Sequence, residues 1–168
     1  MIKRVLTVLI IAAVSATSLF GQNKKAERQA MEQAKFDKAK AAIDAKLFAM
    51  LPDSYGPGAV AANVDEANFM AMEEDGFLYL QGASIAGNKY TNKLEVKSYE
   101  VSTDKKGNVN LKMIVSGSMI NGRVEIQMRK GSNYADVMVT PNSGNRLEFS
   151  GEILPKTEAK YFKRPNVI

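Results

Sequence analysis

Between Lys93 and Ile153 apolar and polar residues alternate with a period of two. Val109, Leu111, Met113 and Val115 share one phase, with Asn110, Lys112 and Ser116 opposite and Ile114 as the exception. The pattern returns with Val124, Ile126 and Met128, again with Ala135, Val137 and Val139, and again with Leu147, Phe149 and Ile153. Turn-forming clusters separate the runs: TDKKGN, SGSMING, KGSN and PNSGN. Evenly spaced strands joined by Gly/Asn turns predict an antiparallel meander rather than βαβ units. In KLEVKSYEVS the apolar phase slips between Val96 and Tyr99, which predicts a bulge near Lys97 and Ser98. Further upstream, NFMAMEEDGFLYLQG predicts two short strands, Asn68–Met72 and Gly76–Gln81, joined at EEDG.

Earlier in the chain the period changes. From Asn23 to Met50 the sequence is rich in Ala, Lys, Glu and Gln, and Phe36, Ala39, Ile43, Leu47 and Met50 recur at spacings of three and four. That spacing predicts a helix with one apolar face. Its Phe36–Phe48 portion should dock on the domain and its Asn23–Gln33 portion should be exposed or frayed, with Pro52 ending it. A competing reading gives KLFAML to a first strand. Residues 53–66 read as a long connection and ASIAGNKYTN as an irregular loop. The expected fold is therefore α+β, mainly β: an N-terminal helix, then an antiparallel meander of about seven or eight strands forming a sandwich or partly closed barrel.

The first residues set the expected location. Lys3 and Arg4 precede an apolar run from Val5 to Val14 and then small and polar residues, the order of a secretory signal peptide. The run is too short for a membrane-spanning helix, which takes roughly 20 residues. Cleavage is expected after Ser18 or, preferably, after Gly21, leaving Gln22 first. No Cys is present to carry a lipid, so the expected product is periplasmic or secreted, with no permanent membrane anchor. The predicted organisation is a signal peptide over 1–21, an exposed or frayed helical segment over 22–35, one globular domain over 36–155 and a C-terminal tail over 156–168. Without Lys3 and Arg4, the 23 basic residues become 21 against 18 acidic ones, and the net charge falls from +5 to +3. NKKAER and KYFKRP then read as solvated basic termini rather than nucleic-acid contacts.

Several stretches together are similar to a known family: KLEVKSYEVSTDKKGNVNLKMIVSG, RVEIQMRKGSNYADVMVTPN and RLEFSGEILP, following a Lys/Ala-rich helix. They resemble the exported domain-of-unknown-function family 4251 of Bacteroides-type bacteria, over about Lys35 to Pro155. The ordered set DKKGN, GSNYADVMVTPN and LEFSGEI is its most specific part. The resemblance implies an envelope location and one compact domain, and it carries no activity and no catalytic residues.

Candidate chemistry is sparse. With neither His nor Cys, the common zinc sites, thiol nucleophiles and Ser-His-Asp triads are unavailable. Asp65, Glu66, Glu73, Glu74 and Asp75 could in principle hold calcium or form an acid pair, but without EF-hand spacing they read as solvated turn acids. A pair of Ser116 or Ser118 with Lys112 is what alternating strands scatter by default, and GNKYTNK lacks the order of a phosphate loop. Phe69, Phe77, Tyr79, Tyr90 and Tyr99 could line a pocket for an apolar or glycan ligand, although core packing is the plainer reading. The nine Met residues fit an adaptable interior. No cofactor, metal or catalytic residue is assigned. The function expected is a non-enzymatic binding or interaction module of the envelope, its partner an envelope protein or a small ligand. A β-barrel holding a small apolar or glycan ligand is the alternative, and a carboxylate-based hydrolase comes third.

Overall fold

A computed structural model describes residues 24–168. The expected signal peptide and its cleavage points lie outside the described residues. Residues 24–44 form helix α1. Eight strands follow: β1 (Phe48–Tyr55), β2 (Phe69–Met72), β3 (Phe77–Gly82), β4 (Asn88–Thr103), β5 (Val109–Ser116), β6 (Asn121–Met128), β7 (Tyr134–Pro141) and β8 (Leu147–Pro155). A single helical turn, α2 (Ala83–Ala86), separates β3 from β4. Strands adjacent in sequence pair antiparallel, and β8 returns to pair with β1 from Phe48↔Pro155 to Tyr55↔Phe149. The sheet is thus a closed barrel and not a sandwich. Closure removes the outermost edges that an open meander would leave unpaired.

An eight-stranded barrel is just wide enough for side chains to fill it, and here they do. Phe48, Met50, Leu78, Leu80, Met113 and Phe149 are among the fully buried interior residues. Helix α1 closes the end formed by the start of β1, the end of β8 and the β6–β7 turn. Its Phe36, Ala39, Ala42 and Ile43 join the barrel core as one cluster, and Tyr99 of β4 donates its hydroxyl hydrogen bond to Ile43 O. Residues 24–31 are all exposed. At the opposite end Ile85 and Ala86 of α2 and Ile120 of the β5–β6 turn are buried in the same cluster.

The helix stops at residue 44, not near Met50, because the backbone turns left-handed at Lys46 (φ 59°). Leu47 N then bonds Ala42 O and Lys46 N bonds Ile43 O, the paired bonds of a Schellman terminus. Such a stop usually carries Gly. Here Lys46 accepts the strained position while its ammonium lies 4.9 Å from the Tyr99 ring centroid. KLFAML accordingly feeds strand β1, as the competing reading had it. Pro52 lies inside that strand rather than ending a helix, directly before a register shift between Pro52 and Ser54. Bulges are among the few places a sheet tolerates proline. Opposite it stands Gly151, where a Cβ would lie 2.8 Å from Leu51 O, so only glycine fits that close approach.

ASIAGNKYTN is regular rather than irregular: it supplies α2 and the first turns of ladder in β4, which begins at Asn88. The bulge expected near Lys97 is present as a register shift between Val96 and Ser98. It keeps Val96 and Tyr99 packed on the core although they are an odd number of positions, three, apart.

Candidate ligand-binding surface

Because the interior is filled, the surface left open lies on the outside of the barrel, which has two unlike halves. On β1–β3 the outward residues are themselves apolar: Ala49, Phe69, Ala71, Phe77 and Tyr79 form a second cluster. The chain beyond β8 covers it. Tyr161 stacks on Phe69 with ring centroids 4.4 Å apart, and its hydroxyl donates to Glu73 at 2.7 Å. Gln81, fully buried, reads the backbone of this segment, donating to Phe162 O at 2.8 Å and accepting from Arg164 N at 2.8 Å. Val167 pairs in parallel with Thr91, filling the stretch of β4 that lies beyond the reach of β5.

Among the described residues only the turn at Gly56–Gly58 lies over the outward face of β5–β8. The side chains of that face line up in rows across the strands, because each antiparallel register places outward residues opposite one another. One row runs Asn110, Gln127, Asp136, Ser150 and Ser54, taken in turn from β5, β6, β7, β8 and β1. The next runs Lys112, Glu125, Met138 and Glu148. The turn at Gly56–Gly58 overhangs these rows, and together they line a groove of about 560 Å³. Gly56 and Gly58 have φ of 89° and 70°. Gly56 N donates to Glu148 O at 2.8 Å, and Ser54 Oγ donates to Ala59 O at 3.2 Å, so the overhang is tied to the barrel wall. Tyr134 anchors it from below: its hydroxyl donates to Asp53 at 2.7 Å, and burial together with that carboxylate pushes its pKa up to about 12.

Charge in the groove is compensated locally. Glu125 faces Lys112 at 3.9 Å and Arg123 at 3.1 Å. Asp136 faces Arg129 at 3.2 Å and accepts from Ser150 Oγ at 2.8 Å, and Glu148 pairs with Arg146. Gln127 Nε2 donates to Asn110 Oδ1 at 3.2 Å. Among the described residues these bonds engage one oxygen of Asn110 and one nitrogen of Gln127, leaving the outer amide groups to solvent.

The sequence profile described as "Domain of unknown function (DUF4251)" matches residues 30–153. The chain belongs to that family. A crystal structure of a DUF4251 family protein from Bacteroides eggerthii superposes with a TM-score of 0.65 at 26% identity, covering 78% of this chain and 94% of that one. No curated protein matches the chain closely enough to lend it an activity. Within this DUF4251 domain α1 from residue 30, the whole of β1–β7 and most of β8 fall inside the matched span, and the covering segment from Lys156 onward falls beyond it.

The residues singled out from sequence fare differently in the DUF4251 barrel. Asp65 caps a turn, accepting from Ala67 N and Asn68 Nδ2 at 2.9 Å, and the backbone carbonyl of Glu66 accepts from Phe162 N at 2.8 Å. Glu73, Glu74 and Asp75 each meet a different lysine: Lys163 at 2.7 Å, Lys156 at 2.8 Å and Lys93 at 3.1 Å. Burial works against the Asp75 carboxylate, yet bonds from Tyr79 and Lys93 outweigh it and hold its pKa below the usual value. Lys156 does the same for Glu74. Ser116 donates to Asn121 at 2.8 Å while Lys112 turns to Glu125, and Ser118 is exposed in a turn, so no Ser/Lys pair forms. Phe69, Phe77 and Tyr79 lie under the C-terminal segment, Tyr99 lies under α1 with its pKa raised by burial, and Tyr90 is half-buried on β4. They do not line a common pocket. The groove is not visible in the sequence because each of its side chains, Lys112 included, is an ordinary outward residue of its own strand. Register across five strands is what brings them together.

Proposed function

We propose that this protein is a non-enzymatic binding module of the bacterial envelope, reached by export, and that it binds with the outer face of β5–β8. The observation that carries this reading is the contrast between a barrel filled by its own side chains and a broad groove on its outer wall. A small apolar ligand in the barrel mouth is disfavoured, since α1 at one end and α2 with Ile120 at the other occupy that space. The reading as a non-enzyme draws support from the acidic turn, where three lysines separately neutralise the carboxylates a hydrolase would need free. A barrel with apolar residues inside and Lys112, Arg123, Gln127 and Asp136 outside has the reverse polarity of a membrane-spanning one, which supports a module without a permanent anchor.

Two measurements test it. Intact mass of the protein recovered from the native periplasmic or culture fraction should correspond to a chain beginning near Gln22, and a membrane-bound species retaining Lys3 would refute the export reading. Isotope-labelled protein mixed with solubilised envelope material from the producing bacterium should show nuclear resonance shifts at Gln127, Asp136 and Met138. Shifts confined to the β1–β3 face, or none, would refute the binding face.

A further inference from the structure

Granting that binding face, we infer that its ligand is a neutral, hydroxyl-rich chain, an oligosaccharide lying across the strands. The row from Asn110 to Ser54 offers one amide, carboxylate or hydroxyl per strand. Strands are about 4.8 Å apart, so the five positions follow one another over roughly 19 Å measured along the curved barrel wall. That step is close to the length of one pyranose unit in an extended chain. Side-chain amides and carboxylates present a donor and an acceptor, or two acceptors, side by side, which is the arrangement that pairs with neighbouring hydroxyls on a sugar ring. The outer groups of Asn110 and Gln127 retain capacity for such bonds. Met138, in the centre of the second row, and the Tyr134 and Pro57 side chains supply the few apolar contacts that the C–H face of a sugar ring requires.

Other ligand classes fit the same groove less well. An extended peptide binds a sheet by adding a strand to a free edge, and β5–β8 have none along the rows because each is paired on both sides. A polyanion would meet the three carboxylates Glu125, Asp136 and Glu148, whereas a polycation would compete with the Arg123, Arg129 and Arg146 partners those carboxylates already hold. An apolar ligand would find only Met138, Tyr134 and Pro57 scattered amid polar side chains. The charges of the groove are already paired, whereas its amides keep hydrogen-bonding capacity open beside a few apolar side chains.

The full chain should be titrated with maltotetraose, cellotetraose and mannotetraose, with tetragalacturonate as the anionic comparator. At least one neutral tetrasaccharide should shift the Asn110 and Gln127 side-chain amide resonances and the Met138 methyl at millimolar concentration, and tetragalacturonate should bind more weakly. Gln127→Ala should weaken that binding about fivefold, the worth of one hydrogen bond, with the melting temperature unchanged. The inference is overturned if none of the neutral sugars shifts these resonances, if the anion binds better, or if Gln127→Ala leaves the affinity as it was. Shifts with envelope material but with none of the neutral sugars would refute the sugar assignment alone. Silence with both would refute the binding face as well.

Discussion

The two outer halves of this barrel follow the same alternation and end in opposite situations. On β2 and β3 the residues between the inward Met70, Met72, Leu78 and Leu80 are Phe69, Ala71, Phe77 and Tyr79, so both faces are apolar and both must be covered. On β5 to β8 the residues between the inward positions are mostly polar, with Ile114 and Met138 as exceptions, and the outer face stays open to solvent. Whether a strand reads as a continuous apolar run or as strict alternation is thus a statement about its neighbours on both sides. FMAM and FLYL announce that something lies over them, and NLKMIVS announces that nothing must.

The largest effect that could break this comparison is on the covered half. Phe69→Ala should cost about 3–5 kcal/mol in denaturant melts, the range for truncating a buried aromatic, although Phe69 points away from the barrel interior. Leu111→Ala and Ile126→Ala, which truncate interior residues of the bare half, should cost about 2–5 kcal/mol. A value for Phe69 near that of a surface residue would mean that the C-terminal segment does not shield it in solution.

A second, smaller effect probes how the cover is held. Gln81→Ala removes the partner of Phe162 O and Arg164 N in a fully buried position. Leaving buried backbone groups unpaired costs about 1–3 kcal/mol. Hydrogen exchange should accelerate at residues 161–168 while the amides of β5–β8 keep their protection. Uniform loss of protection would show that the segment and the barrel open as one unit.

Much of this architecture was legible in the sequence, and the gaps have physical causes. The meander from Lys93 to Ile153 was readable because one face is wet, and the bulge at Lys97 because a phase slip is visible in Val96 and Tyr99. The helix end was not readable, since Leu47 and Met50 happen to continue the helical spacing and the stop is a left-handed Lys46 rather than a glycine. Strand β1 was masked by Pro52, whose fit depends on Gly151, about a hundred residues later in the chain. Barrel closure depends on that same distant pairing, which no local pattern encodes. The groove was hidden for the same reason: Asn110 and Ser150 come to share one row only through Gln127 and Asp136 on the intervening strands.

The acidic turn sharpens the comparison through pH. Asp75 and Glu74, both beside the covered half, titrate below their ordinary values when folded. A lowered carboxyl pKa stabilises the fold above the unfolded value, about 4, and that contribution disappears as pH falls through the folded value. Stability should therefore fall with acidification below about pH 4, and Asp75→Asn should flatten part of that slope. Since Glu73, Glu74 and Asp75 are held by three separate lysines, EDTA should leave the melting temperature unmoved. A shift with EDTA would mean these carboxylates exchange their lysines for a cation.

The smallest expected effect tests the bare half itself. Gln127 and Lys112 point outward and are exposed among the described residues, so alanine at either should change stability by about 0.5 kcal/mol or less. Gln127 donates one exposed bond to Asn110 and Lys112 holds a long ion pair to Glu125, and exposed pairs of that kind contribute little. The two halves then differ in what their outward residues are for: Phe69 and Gln81 hold the fold, while Gln127 and Lys112 leave it nearly unchanged. If Gln127→Ala proved as costly as Gln81→Ala, the row across β5–β8 would be carrying part of the barrel's stability. Its free amides would then be structural, and the case for a ligand on that face would lose its main support.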